Sequence, residues 1–193
     1  MPADRRPTAR ALALPGAAEA WERLGFAPGA PIGGVRTAAG APALQVAVEG
    51  LGAERPHGLA LVTAEDAPAA DGAHPNGALA VDHVVALTGD MDATLAALHD
   101  AGLELRRERS APARQAFFNL RTLVLEVVEA PGREPALWGL TVVVEDLGAL
   151  GPLVGEPRDA VQPGRRIATA RREAGLPTAL AFMTPRPQRS PSA

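Results

Sequence analysis

An α+β fold built from a repeated strand–helix–three-strand unit is what this sequence predicts, and three observations carry that reading. An apolar run opening with Val81-Asp-His-Val-Val is followed by a segment in which Met91, Leu95, Leu98 and Leu103 recur at helical spacing, with Gly102 as a stop. Three extended runs come next, at residues 103–109, 115–120 and 123–129, separated by the turn-rich 110–114 and by Arg121-Thr122. The same succession can be traced, more weakly, before and after this stretch.

Taken in order, residues 1–7 are polar and proline-bearing, and read as a frayed end. Residues 8–14 suit a strand, and 17–24 form a helix in which Trp21 and Leu24 share a face before Gly25-Phe26 ends it. Strands at 33–37, 43–48 and 58–62 complete a first, degenerate unit spanning 1–65, its second strand broken by glycine. Residues 66–78 have loop composition and form a linker, in which Pro75 and Asn76-Gly77 favour a turn. The central unit occupies 79–131. After a Pro/Gly connector, a third unit over 136–185 repeats the opening pattern when Asp146 is placed on Asp90. It contains a short helix at 147–153, strands at 161–170 and 178–184, and a turn at 171–177; the remaining 186–193 cannot form a core element and read as a disordered tail.

Composition narrows the function. With 47% hydrophobic residues the chain can bury a sizeable core. All 19 basic residues are arginine, scattered in a chain of net charge −3, which argues against nucleic acid as a partner. The absence of cysteine excludes a disulfide framework, a thiolate nucleophile and Cys-ligated zinc, and cytoplasm is the simplest compartment. Pro15-Gly16 breaks the N-terminal apolar patch too early for a signal peptide, and no apolar run approaches the ~20 residues of a membrane span. The only serines, Ser110, Ser190 and Ser192, fall in loop or tail, so a serine hydrolase is excluded; without lysine or a Gly-x-Gly-x-x-Gly turn, nucleotide chemistry has no support.

A first strand carrying Asp82-His83, a helix closed by Gly102-Leu103 and a fourth strand Leu125-Glu-Val-Val-Glu together resemble the vicinal-oxygen-chelate superfamily, which embraces glyoxalase-like, bleomycin-resistance and dioxygenase proteins. The helix ending Trp21-Glu-Arg-Leu-Gly-Phe and the turn His74-Pro-Asn-Gly strengthen the likeness. The resemblance implies that two units set their sheets side by side as a cup-like open barrel, helices outside, with the site in the concavity. The central and third units are expected to pair, with the first alongside or completing a second cup in a homodimer; the alternative is that the first and central units pair. The resemblance also implies metal ligands on the first and fourth strands of each unit. His83 and Glu126 match these positions, but the equivalent third-unit positions hold Gly139 and Leu180, which cannot ligate. The expectation is therefore no cofactor, or a divalent metal held weakly by His83 and Glu126.

His83 and Glu126 are the candidate catalytic pair. One reading is a buried imidazole held by a carboxylate for structural reasons; the other is a general base able to move a proton next to a carbonyl. Candidate ligand contacts are Gln115 and Asn119 through neutral hydrogen bonds, Phe117 as a pocket wall, and Arg166 as a guanidinium fork. For Arg166 the competing reading is a charged guard on an edge strand. His57, His74 and His99 read as solvated. The functional expectation is a glyoxalase-like protein binding a small carbonyl- or acid-bearing molecule, with lyase or isomerase chemistry. The competing expectation is a non-catalytic binding protein that sequesters such a molecule.

Overall fold

Pro15 and the positive-φ Gly16 end the first strand, β1 (Thr8–Pro15), and a short helix, α1 (Ala18–Glu22), turns the chain back along it. The computed structural model describes residues 7–64 and 72–187, so residues 1–6, 65–71 and 188–193, which hold most of the expected frayed end and tail and part of the expected linker, lie outside the described residues. Strands β2 (Arg36–Ala41), β3 (Gln45–Glu49) and β4 (Leu61–Thr63) join β1 in a four-stranded sheet of order β2-β1-β3-β4. β1 is interior, parallel to β2 and antiparallel to β3. The first unit thus shares the succession of elements with the other two but not their pairing.

The rest of the chain builds one eight-stranded sheet. Strand β5 (Ala78–Thr88) leads to α2 (Met91–Asp100), then to β6 (Leu105–Arg109), β7 (Gln115–Asn119) and β8 (Val124–Glu129). Helix α2 starts where the Asp90 carboxylate accepts from the Ala93 amide at 2.9 Å, and stops at Gly102, whose φ of 87° suits a residue without Cβ. The third unit supplies β9 (Ala136–Val144), β10 (Arg158–Asp159), β11 (Arg166–Thr169) and β12 (Ala179–Met183). Its expected helix at 147–153 is a single 3-10 turn, Leu147–Ala149. Gly148, Gly151 and Pro152 crowd that stretch, and both residue types disfavour a helix interior.

The sheet order is β10-β11-β12-β9-β5-β8-β7-β6. Each half has its first strand parallel to its fourth, and the halves join through the antiparallel pair β5–β9. The sheet is open, with β6 and β10 as its free edges, and the two units together form the architecture that the vicinal-oxygen-chelate resemblance implies.

Period-2 alternation gives this sheet two unlike faces. Val84, Ala86, Ala116, Phe118, Leu125, Val127, Val142 and Phe182 are all buried on the convex side. There they meet Met91 and Leu98 of α2 and the first unit, whose Phe26 stacks on Phe182 with ring centroids 5.9 Å apart. Burying a side chain of this size stabilises by about 1.5–3 kcal/mol, so the apolar back fixes the sheet and leaves the concave face available for polar groups. The first unit is also tied on by the backbone: Ala9 N donates to Leu120 O at 3.0 Å, and the Thr122 hydroxyl donates to Ala9 O at 2.7 Å.

Candidate functional site

A bulge in β5 creates the central feature. The ladder with β9 pairs Val81 with Val142 and His83 with Thr141, so Asp82 is the extra residue between them. Val81 and Val84 both point into the back core, and the two residues between them both face the cup. Asp82 Oδ2 consequently lies 3.0 Å from His83 Nδ1, a contact that neighbours in a regular strand cannot make.

Asp82 is held from its other side by Arg165, immediately before β11. The guanidinium Nη1 donates to Asp82 Oδ1 at 2.7 Å and Nε donates to Thr184 O at 2.8 Å, with Arg165 only 3% exposed. Its Nη2 is buried without a hydrogen-bond partner among the described residues. Burial alone would push the Asp82 carboxyl up, but hydrogen bonds and charge from His83 and Arg165 outweigh it and lower the group to about 2. Asp82 is therefore ionised at neutral pH and fixes the imidazole with its proton on Nδ1.

The other ring nitrogen faces Thr141 and Glu126. Thr141 Oγ1 lies 3.0 Å from Nε2, and the hydroxyl can donate to a neutral ring or accept from a protonated one. Glu126 Oε2 is 3.7 Å from Nε2, within ion-pair range but too far for a good hydrogen bond. Gln115 holds the other oxygen, its Nε2 donating to Glu126 Oε1 at 2.9 Å. The arrangement is a chain running Arg165, Asp82, His83, then Thr141 and Glu126, and finally Gln115.

His83, Gln115, Phe117 and Glu126 lie together against a cavity of about 610 Å³. Arg107 and Arg109 of β6 line one side, and Arg158 and Asp159 of β10, with Ile167 and Met183, line the other. Arg107 sits over the Phe117 ring, 4.6 Å from its centroid, and Arg109 is 5.9 Å from it. Both free edges of the sheet thus reach the same space.

Two of the sequence-derived candidates stand elsewhere. Asn119 shares the cup face of β7, but its carboxamide oxygen caps the following turn by accepting from Arg121 N at 2.8 Å. Arg166 is exposed and donates to Pro157 O, while its neighbour Arg165 takes the buried place. His74 corrects the expectation of a solvated ring: it is 6% exposed, packs edge-on against Phe26, and accepts from Ala27 N at 3.0 Å. Burial lowers its pKa, against hydrogen bonds to the Pro31 and Ala30 backbone that raise it. His57 is likewise engaged, with Nδ1 2.6 Å from Thr94 Oγ1, while the side chain of His99 is 84% exposed.

The donor set does not fit a metal. Val84 faces Leu140 across the β5–β9 ladder, and one step back along each strand reaches His83 on one side and Gly139 on the other. A Cβ at Gly139 would lie 2.8 Å from Ala179 O and 2.9 Å from Ala179 Cβ, so the backbone of β12 fills the space a second ligand would need. Leu180, matched to Glu126 in the sequence, pairs with Leu140 on the core face and is buried there, so it does not face the cup as Glu126 does. Among the described residues, no group of three or more His, Cys, Asp or Glu side chains is placed to hold an ion. Two protein donors fall short even of an open zinc site.

Two units of like strand order meet through their first strands, with His83 and Glu126 on adjacent first and fourth strands. The two units have the strand order that the vicinal-oxygen-chelate resemblance implies. Among solved structures the chain is similar to methylmalonyl-CoA epimerase from Mycobacterium tuberculosis, at 17% identity and a TM-score of 0.48 over 58% of this chain and 91% of that one. It is also similar to a hypothetical protein from Bacillus halodurans C-125, at 14% identity and a TM-score of 0.46 over 57% of this chain and 96% of that one. A methylmalonyl-CoA epimerase in complex with methylmalonyl-CoA and NH4+ matches at 18% identity and a TM-score of 0.45, over 59% and 99% of the two chains. No protein-family model and no curated protein matches this sequence. No helix among the described residues is long and apolar enough to cross a membrane.

Proposed function

We propose that this protein binds a small carbonyl compound in the concave face of its eight-stranded sheet and moves a proton on it, as an isomerase or lyase does, with His83 as the base. The observation that supports this best is the orientation of His83. Its Nδ1 is committed to an ionised, buried Asp82, which leaves the Nε2 lone pair as the proton acceptor at the cavity floor. For Nε2 to take a proton from the carbon next to the carbonyl, the Thr141 hydroxyl hydrogen first rotates off the Nε2 lone pair; the substrate is then left as the enolate and Thr141 Oγ1 can accept from the protonated ring. Glu126 at 3.7 Å and Asp82 at 3.0 Å then balance the imidazolium. Gln115 keeps the Glu126 carboxylate in position.

A second reading, non-catalytic binding, is favoured by one observation: Gly139, at the third-unit position matching His83, brings no side chain to the floor. Isotope exchange separates the two. With 2-oxobutyrate and 2-oxoglutarate as probes in D2O, the C3 proton signals should fade faster with the protein than in buffer, and at the buffer rate with His83→Gln. Exchange at the buffer rate for both probes with the wild-type protein would leave only the binding reading.

A further inference from the structure

The charge around the cavity is unbalanced in a way the proton-transfer site does not explain. Strand alternation on β6 sends Arg107 and Arg109 to the cup, while Glu108 between them points away and binds Arg114, which also binds Asp92 at 2.7 Å. Glu108, the carboxylate between them in sequence, is therefore committed outside the cavity. Arg158 arrives from β10, the opposite free edge of the sheet. Among the described residues, none of these three guanidinium groups has an ion-pair partner, although Arg10, Arg114 and Arg165 all do. Facing them are Asp159 and Glu126, and Glu126 is already engaged by Gln115 and His83.

Arg107 and Arg109 both lie close to the Phe117 ring centroid, at 4.6 and 5.9 Å, and two like charges gathered there without a counter-charge repel. A guanidinium stacked on an aromatic ring keeps its N–H edge free for a planar, bidentate acceptor. Phe117 thus preorients an anion receptor on the β6 side, and Arg158 supplies a second across the cavity.

We infer that the cavity takes a dianionic small molecule, a dicarboxylate or a phosphorylated acid, with one acid group on Arg107 and Arg109 and the other on Arg158. This rests on the reading of the cavity as a ligand site and specifies the ligand by charge count. A molecule so held spans the two free edges of the sheet and lies over the floor formed by His83 and Glu126.

Calorimetric titration of the full chain with succinate, 3-phosphonopropionate, butyrate and succinamide tests it. Succinate or 3-phosphonopropionate should bind roughly tenfold or more tightly than butyrate, succinamide should give no heat, and the tighter dianion identifies the preferred acid group. Arg158→Gln and the double variant Arg107→Gln/Arg109→Gln should each reduce dianion affinity to that of butyrate. Circular dichroism should show both variants folded, as expected for side chains on exposed edges. Equal affinity for succinate and butyrate, or no heat with either dianion at millimolar concentration, overturns the inference. Dianion preference without isotope exchange would uphold it and remove the proton-transfer reading; exchange without dianion preference would do the reverse.

Discussion

Asp82 and His83 are neighbours in sequence whose side chains meet on one face of a β-strand, with the carboxylate 3.0 Å from Nδ1. The single extra residue in the β5–β9 ladder makes this possible and brings Asp82 within 2.7 Å of the buried Arg165. A backbone irregularity has thus put a carboxylate behind a histidine, with a cation from the third unit behind the carboxylate. The ion pair joins the two halves of the sheet at the cavity floor.

The pH dependence of folding should carry the signature of Asp82. Its folded-state pKa is about 2 against an ordinary 3.8, so its contribution is fully present above the unfolded value and is lost as the pH falls through the folded one. The shift corresponds to about 2 kcal/mol. Urea unfolding of the wild-type protein and Asp82→Asn should show the wild type ahead by a few kcal/mol at pH 6, with the gap shrinking between about pH 4 and 2. A gap independent of pH would mean that Asp82 is not ionised in the folded protein.

Arg165→Met should destabilise more than any exposed arginine change. It leaves the Asp82 charge buried without its cation, which typically costs about 3–5 kcal/mol. Adding Asp82→Asn should recover part of this loss, because the ion pair can be broken only once. Chemical denaturation of the two single variants and the double variant measures the coupling, and strictly additive losses would show that the two groups do not interact.

Local pattern made the element succession and the back core readable, since the apolar face of β8 and the spacing of Met91, Leu95 and Leu98 need no tertiary information. The positions of His83 and Glu126 on adjacent strands were also legible, through the resemblance. The bulge was not: inserting one residue into a ladder depends on the partner strand, and nothing in Val81-Asp-His-Val marks it. Strict alternation would place Asp82 on the face opposite His83, so their contact depends on the bulge. Arg166 rather than Arg165 was the sequence candidate for a related reason, because Arg165 lies just before β11, where the loop and not strand alternation sets its direction. The order of the first sheet depends on long-range pairing of β1 with both β2 and β3, which residue spacing does not encode.

Double-mutant cycles should rank the two carboxylates around His83. The Asp82 contact is 3.0 Å and buried beside a cation, whereas the Glu126 contact is 3.7 Å with Thr141 competing for the same nitrogen. His83→Ala and Glu126→Ala should each cost about 1–3 kcal/mol, and their double variant should lose less than the sum. The His83–Asp82 coupling should be the larger of the two. A larger coupling to Glu126 would imply that the imidazole is charged and turned toward the cavity in the resting protein.

Gly139 offers the most direct check on why the third unit carries no counterpart of His83. In Gly139→Ala the new methyl would have to share space with Ala179 O at 2.8 Å, and that oxygen belongs to the backbone of β12, which cannot swing aside as a side chain can. Relief requires separating β9 from β12 at the parallel pair Ala179–Gly139, the first rung of that ladder. Overpacking of this kind costs about 1–3 kcal/mol, so the variant should unfold at a lower temperature, and Gly139→His, which would add a third donor to His83 and Glu126, should be less stable still. Zinc, manganese or nickel should not rescue Gly139→His, and should stabilise the wild-type protein no more than His83→Ala. A rise in melting temperature with any of these ions that disappears in His83→Ala would show that β12 can yield and that the floor does accept a metal.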